Sequence, residues 1–156
     1  AKRLLMYERT NISSSGFGGA GGLSLNDIAT RYVGTENGKL CDADLRARIA
    51  GHMMFDRAFG LTVRRSTEEA KAGGNVGHMA SMFKVAAATL NQEKSELTIE
   101  ALGNRGLGWS GDGFEPTELK ATRDWLRSKG NSIEGGTSEI NLNVIAKRVL
   151  GLRDHQ

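Results

Sequence analysis

Residues 130–141 read Gly-Asn-Ser-Ile-Glu-Gly-Gly-Thr-Ser-Glu-Ile-Asn, and they set two adjacent glycines, hydroxyl side chains and two carboxylates directly ahead of an apolar helical pattern. Gly135 and Gly136 leave the backbone bare, so a partner can approach it closely, and the helix that follows presents unpaired N–H groups and the positive end of its dipole. Such a bend suits a polar or anionic ligand. Glu139 in the first turn disfavours a phosphate on this helix end and favours a ribose or a base edge. Local structure alone offers a second account, in which Thr137 caps the helix, Glu139 complements the dipole and the glycines only turn the chain. On local evidence alone the capping account is the better of the two.

Few other residues have the types and spacing for chemistry. The chain holds one cysteine, Cys41, which excludes an internal disulfide. His52, His78 and His155 are far apart, and no Cys or His stands at metal-ligand spacing, so no metal is expected. Lysines and arginines number 21 against 18 acidic residues and are mixed with them, for a net charge of +3. Nucleic-acid binding is therefore not expected, since it calls for clustered basic charge, and an anionic small ligand fits the excess as well. No apolar run is long enough to span a bilayer, and the opening Ala-Lys-Arg-Leu-Leu-Met-Tyr-Glu lacks the apolar core of a signal peptide. A cytoplasmic, reducing location is the expectation.

The elements that position the bend are helical. With 156 residues and a single proline, the chain predicts one domain of the all-α class, with long helices and short loops arranged as an antiparallel up-down four-helix bundle. From Asp42 as N-cap, Leu45, Ile49, Met53, Phe55, Phe59 and Val63 form one stripe ending before the Ala-Gly-Gly-Asn at 72–75. Met79, Phe83, Ala86, Leu90, Leu97 and Ala101 form a second, stopped by the glycine-rich 103–113. Glu115-Pro116 opens a third helix carrying Leu119, Thr122 and Leu126 to Gly130, proline being well tolerated at the first helical position. A fourth starts after Gly136 with Ile140, Val144 and Val149 or Leu150. The glycines at 16, 18, 19, 21 and 22 break an opening helix, which resumes near Ser24. Trp109 and Trp125 read as core closers, Met53, Met54, Met79 and Met82 as core or interface fillers, and Lys84 and Lys147 as solvated.

The end of the chain, Arg-Asp-Trp-Leu-Arg-Ser-Lys-Gly-Asn-Ser-Ile-Glu-Gly-Gly-Thr-Ser-Glu-Ile-Asn-Leu-Asn-Val-Ile-Ala-Lys-Arg-Val-Leu-Gly-Leu, resembles the C-terminal signature of flavin-dependent acyl-CoA dehydrogenases. Residues 101–109, Ala-Leu-Gly-Asn-Arg-Gly-Leu-Gly-Trp, are similar to that family's glycine-rich turn between two helices. Ala-Ser-Met-Phe-Lys at 80–84 is similar to its helix entry, and Leu-Leu-Met-Tyr-Glu-Arg-Thr-Asn-Ile at 4–12 to its first C-terminal helix. The resemblance extends over essentially all 156 residues and over one domain of the family's chain, with its helical N-terminal and β-barrel middle domains not represented.

What the resemblance implies is specific. The family removes a proton α to a thioester carbonyl while the β carbon delivers hydride to FAD, which needs one carboxylate in a dry site, where burial makes it a useful base near neutral pH. In one arrangement the base directly precedes Gly-Thr-Ser, a place taken here by Gly135. In the isovaleryl- and long-chain-type arrangement it precedes an arginine on the first helix, and Glu8-Arg9 stands there. The resemblance implies Glu8 as base and Arg9 as a substrate contact or anchor, with Glu134, one residue from the first position, as the other carboxylate in reach. The Gly135 N–H would polarise the thioester carbonyl. Gly136, Thr137 and Glu139 would meet the adenosine side of FAD. Arg31, Gly103 and Gly106 match contacts given to a neighbouring subunit's flavin, although the phenylalanine expected after Arg31 is missing and Ala43 stands where a glutamine belongs. Acyl-CoA as substrate, an electron-transferring flavoprotein as acceptor and a homo- or hetero-oligomer, dimer or tetramer, follow from the same resemblance. The other reading is a non-catalytic or half-site subunit that serves assembly.

Overall fold

The computed structural model describes residues 24–74 and 77–153. Five α-helices run through them: α1 (Leu25–Tyr32), α2 (Ala43–Lys71), α3 (Ala80–Leu102), α4 (Pro116–Ser128) and α5 (Ser138–Arg148). The all-α class is borne out, and each of the four helices read after Asp42 stands where its periodicity and caps put it.

The helix starts follow from local chemistry. Ser24 Oγ accepts from the Asp27 N–H while the Asp27 carboxylate accepts from the Ser24 N–H, a reciprocal pair that satisfies orphan donors at the head of α1. Asp42 caps α2 through the Leu45 N–H at 2.9 Å. At α4 the Glu118 carboxylate accepts from the Glu115 N–H at 2.8 Å, with Pro116 first in the helix. The helix ends follow as well: α2 stops where Gly73 takes a φ of 87°, open to glycine at little cost.

The sequence reading missed a two-stranded hairpin. β1 (Thr35–Glu36) pairs antiparallel with β2 (Lys39–Leu40) across Asn37-Gly38, whose φ values of 52° and 73° are those of a primed turn. Two-residue strands carry no alternation to detect. The Asn-Gly pair was the available signal.

Two compact units divide the described chain, one comprising 24–56 and 90–130, the other 57–74, 77–89 and 131–153. In the first, Leu25 and Ala29 of α1, Leu45 and Ile49 of α2, and Leu97 and Ala101 of α3 make the core, flanked by Ile28, Val33 and Leu40. Burial of each leucine or isoleucine contributes about 1.5–3 kcal/mol. Arg48 of α2 grips both Glu100 carboxylate oxygens of α3, at 2.6 and 2.7 Å. His52, buried, meets Glu93 at 2.9 Å through Nδ1. In the second unit Phe59 and Phe83 meet edge to face with centroids 6.0 Å apart, and α5 packs against the single turn Gly77–Met79.

Several side chains differ from their expected place. Met53, Met54 and Phe55 are exposed, so the stripe of α2 skips them, with Leu45, Ile49 and His52 buried and Phe59 and Val63 half-buried. Met79 and Met82 are half-buried. Trp109 is exposed and closes no core: Arg123 donates to its carbonyl oxygen at 2.8 Å and lies over its ring. Trp125 is half-buried, with Lys129 over its ring. Leu126, Ile140 and Leu150 are exposed although their spacing is helical. Lys84, read as solvated, is fully buried.

Candidate functional site

The bend ahead of α5 is built from unusual backbone. Gly135 has φ 63° and Gly136 φ 93°, two consecutive residues in the left-handed region that a side chain would strain. Thr137 then returns to extended backbone and caps α5, its Oγ1 accepting from the Ile140 N–H at 3.4 Å. Asn141, one turn in and fully buried, reaches back: its Nδ2 donates to the carbonyl oxygens of Gly136, at 2.9 Å, and Thr137, at 3.0 Å. Those two bonds fix the carbonyls of the peptides on either side of the Thr137 Cα. Asn141 was not singled out in the sequence, where one asparagine among apolar helical positions carries no signal without coordinates.

Glu139 stands exposed in the first turn of α5. Its carboxyl is held below the usual carboxylate range, first by its own backbone N–H, then by the Thr137 hydroxyl, and also by the positive charge of Lys84. It is therefore an acceptor at neutral pH. The adjacent Glu134 is half-buried and accepts from Asn131 Nδ2 at 3.3 Å. The capping account of Thr137 is thus realised. Of the two glycines ahead of the cap, Gly135 is buried and Gly136 half-buried.

The remaining candidates lie in the other unit. Arg31 donates to Glu115 Oε1 at 2.6 Å and lies over the Tyr32 ring, with both members of the ion pair about half exposed. A pair this exposed is worth little in water, so Glu115 competes with an anion for Arg31 without excluding one. Gly103 takes φ 55°, and a Cβ there would meet open space. Gly106 is buried, and a Cβ on it would come within 2.9 Å of the Ile99 carbonyl oxygen, while its own carbonyl accepts from Thr122 Oγ1 at 3.0 Å. Close packing of the turn onto α3 is thus sufficient reason for a glycine at 106. Glu8 and Arg9 lie outside the described residues. Among the described residues no three His, Cys, Asp or Glu converge to hold a metal ion, and no helix is long and apolar enough to cross a membrane.

A family model described as "Acyl-CoA dehydrogenase, C-terminal domain" matches residues 1–150. The chain is also 26% identical over 144 residues to the acyl-CoA dehydrogenase FadE34 of Mycobacterium tuberculosis, a match that covers 92% of this chain and 19% of that protein. The chain thus spans about a fifth of the length of the curated relative it matches.

Proposed function

Since the chain belongs to the acyl-CoA dehydrogenase family, as a C-terminal domain of it, we propose that it supplies the helical part of an enzyme that dehydrogenates acyl-CoA thioesters to 2-enoyl-CoA. The observation that carries this reading is the bend at 135–137, where two left-handed glycines precede a capped helix whose first turn holds an ionised acceptor. The donor set fits the adenosine side of FAD: bare backbone at Gly136, the Thr137 hydroxyl, and Glu139 to accept from a ribose hydroxyl. Arg31, Gly103 and Gly106 serve a neighbouring subunit's flavin in this reading, with Arg31 exchanging Glu115 for the diphosphate.

FAD, when bound, accepts the hydride from the substrate's β carbon. The chain's own residues do the rest. Glu8 removes the α proton, Arg9 anchors it or meets the substrate, and the Gly135 N–H hydrogen-bonds the thioester carbonyl where negative charge develops. The relevant helices pack as an antiparallel bundle in a homo- or hetero-oligomer, dimer or tetramer, located in the cytoplasm and passing electrons to an electron-transferring flavoprotein. The test is Glu8→Gln in the full-length protein that carries this chain, followed by flavin bleaching on addition of acyl-CoA. Bleaching is expected to slow by about 10²–10⁴-fold, the contribution of a positioned general base. Unchanged bleaching removes Glu8 from that role and leaves Glu134→Gln to be tried.

A second reading, a half-site subunit of a heteromeric dehydrogenase, is favoured by Ala43 standing where the resemblance calls for a glutamine and by the missing phenylalanine after Arg31. It predicts a flavin content below one per copy of this chain in the purified assembly. One flavin per copy excludes it.

A further inference from the structure

Asn141 is fully buried in α5, yet its side-chain amide is only half satisfied: Nδ2 donates to the Gly136 and Thr137 carbonyl oxygens, while Oδ1 is buried without a hydrogen bond. An apolar residue would fill the place without an orphaned acceptor, so packing alone does not account for an asparagine there. The Thr137 carbonyl also accepts from the Asn141 backbone N–H at 3.0 Å, a helical bond that any residue at 141 except proline would make. The Gly136 carbonyl has no other donor among the described residues. What the side chain alone contributes is therefore the direction of the Gly136–Thr137 peptide. That peptide has freedom to lose. Gly136 has no side chain to restrict its ψ, and Thr137, at φ −60°, stands at one edge of an extended region that runs to about −160°. Every peptide bond described is trans, so each N–H points opposite to the carbonyl of its own peptide. With the Gly136 and Thr137 carbonyls drawn toward Asn141, the Thr137 and Ser138 N–H groups point the other way, out of the head of α5. Both residues are half-buried, and among the described residues no acceptor meets either N–H.

We propose that Asn141 is a positioning residue: by holding the Gly136 carbonyl inward it fixes the Thr137 N–H outward beside that of Ser138, so that the bend meets its ligand with two aligned donors. The ligand group that fits them is a hydrogen-bond acceptor. That FAD supplies it rests on the function proposed above. The holding of the peptide does not. Asn141 touches neither substrate nor cofactor in this scheme and acts only through the backbone of the bend.

Measurements on the full-length protein test the holding of the peptide separately from the function. The amides of Ile140 and of residue 141 close on Thr137, so their hydrogen exchange without FAD, followed by mass spectrometry and corrected for intrinsic rates, reports whether Thr137 is held in place. In Asn141→Leu that exchange is expected to rise about two- to tenfold, the effect of one lost hydrogen bond, with the rest of the domain exchanging as in wild type. Asn141→Asp keeps the shape and regains a donor only while its carboxyl is protonated, so near-wild-type exchange is expected at about pH 5 and faster exchange as the group ionises. Unchanged exchange in Asn141→Leu, exchange raised equally throughout the domain, or an Asn141→Asp bend still loose at about pH 5 overturns the proposal. Should Asn141→Leu fail to fold, Asn141→Ala, which removes the donor without added bulk, is read in the same way. FAD titration by flavin fluorescence is expected to show binding about two- to tenfold weaker in Asn141→Leu, and wild-type affinity despite faster exchange removes Asn141 from the positioning role. If the wild type binds no FAD, the functional reading fails while the exchange comparison still decides on Asn141.

Discussion

Glu118 is a carboxylate at 2% exposure, and its partners show how the fold tolerates it. It accepts from the Glu115 N–H at 2.8 Å and from the Tyr32 hydroxyl at 2.9 Å, with Arg105 3.7 Å away. The Glu115 N–H is the main cause of a carboxyl pKa held below its usual value; burial opposes it, and Tyr32, Arg105 and Arg31 add to it. Tyr32 responds in the opposite sense, its hydroxyl pushed up by burial and by the hydrogen bond to Glu118. The signs of the two linkages follow. Glu118, lowered, contributes stability that is full above the unfolded carboxylate value of about 4.3 and is lost as pH falls through the lower folded value. Tyr32, raised, contributes stability that is full below about 10 and is lost as pH rises through the folded value. Tyr32→Phe is therefore expected to lower the melting temperature near neutrality by about 3 °C and to flatten the alkaline limb of melting temperature against pH. Circular dichroism melts at a series of pH values check this. An alkaline limb as steep as in wild type would show that the hydroxyl has no part in it.

At the scale of elements, caps decide where helices begin and tight packing decides which glycines are indispensable. Ser24→Ala removes half of the reciprocal cap of α1 and is expected to cost about 1 kcal/mol in denaturant unfolding. Gly106→Ala forces a Cβ against the Ile99 backbone and is expected to cost about 1–3 kcal/mol, although no ligand is involved. Gly103→Ala meets open space and incurs only the strain of φ 55°. If both variants unfold at the wild-type denaturant midpoint, close packing is not why the turn carries glycine. The same features explain what could be read without coordinates. Asp42, Ser24, Pro116 and the 72–74 break are local signals, and the helices they bound were legible from them. Periodicity gives spacing but not partners, so Met53, Phe55 and Leu126 read as core and are exposed. Lys84 was misread for the opposite reason, because composition assigns a lone lysine to water, and only its neighbours in space can bury it. The bend at 135–137 was legible as a bend, from Gly-Gly-Thr-Ser. The Asn141 bonds that fix it were not, since they join a helical side chain to carbonyls four and five residues earlier.

For the molecule as a whole, the decisive question is how much of a flavin site one domain can hold. In the proposed reading the chain offers FAD the Gly136 backbone, Thr137 and Glu139, together with Arg31, Gly103 and Gly106 directed to a neighbour's cofactor. Each hydrogen bond formed in exchange for water contributes about 0.5–1.5 kcal/mol. A handful of them does not exceed the 4–15 kcal/mol lost in translational and rotational freedom on association. Burial of the isoalloxazine ring has to supply the surplus, and in the proposed reading that burial comes from outside this domain. The isolated chain is accordingly expected to fold, since its helices carry their own caps and cores, and to bind FAD no tighter than about millimolar. Far-ultraviolet circular dichroism tests the first half, with a strongly helical spectrum and a cooperative melt as the expected result. Equilibrium dialysis at micromolar flavin tests the second. Retention of FAD at micromolar concentration by the folded domain would mean that its own residues bury the ring, and the division of the site between domains would have to be redrawn.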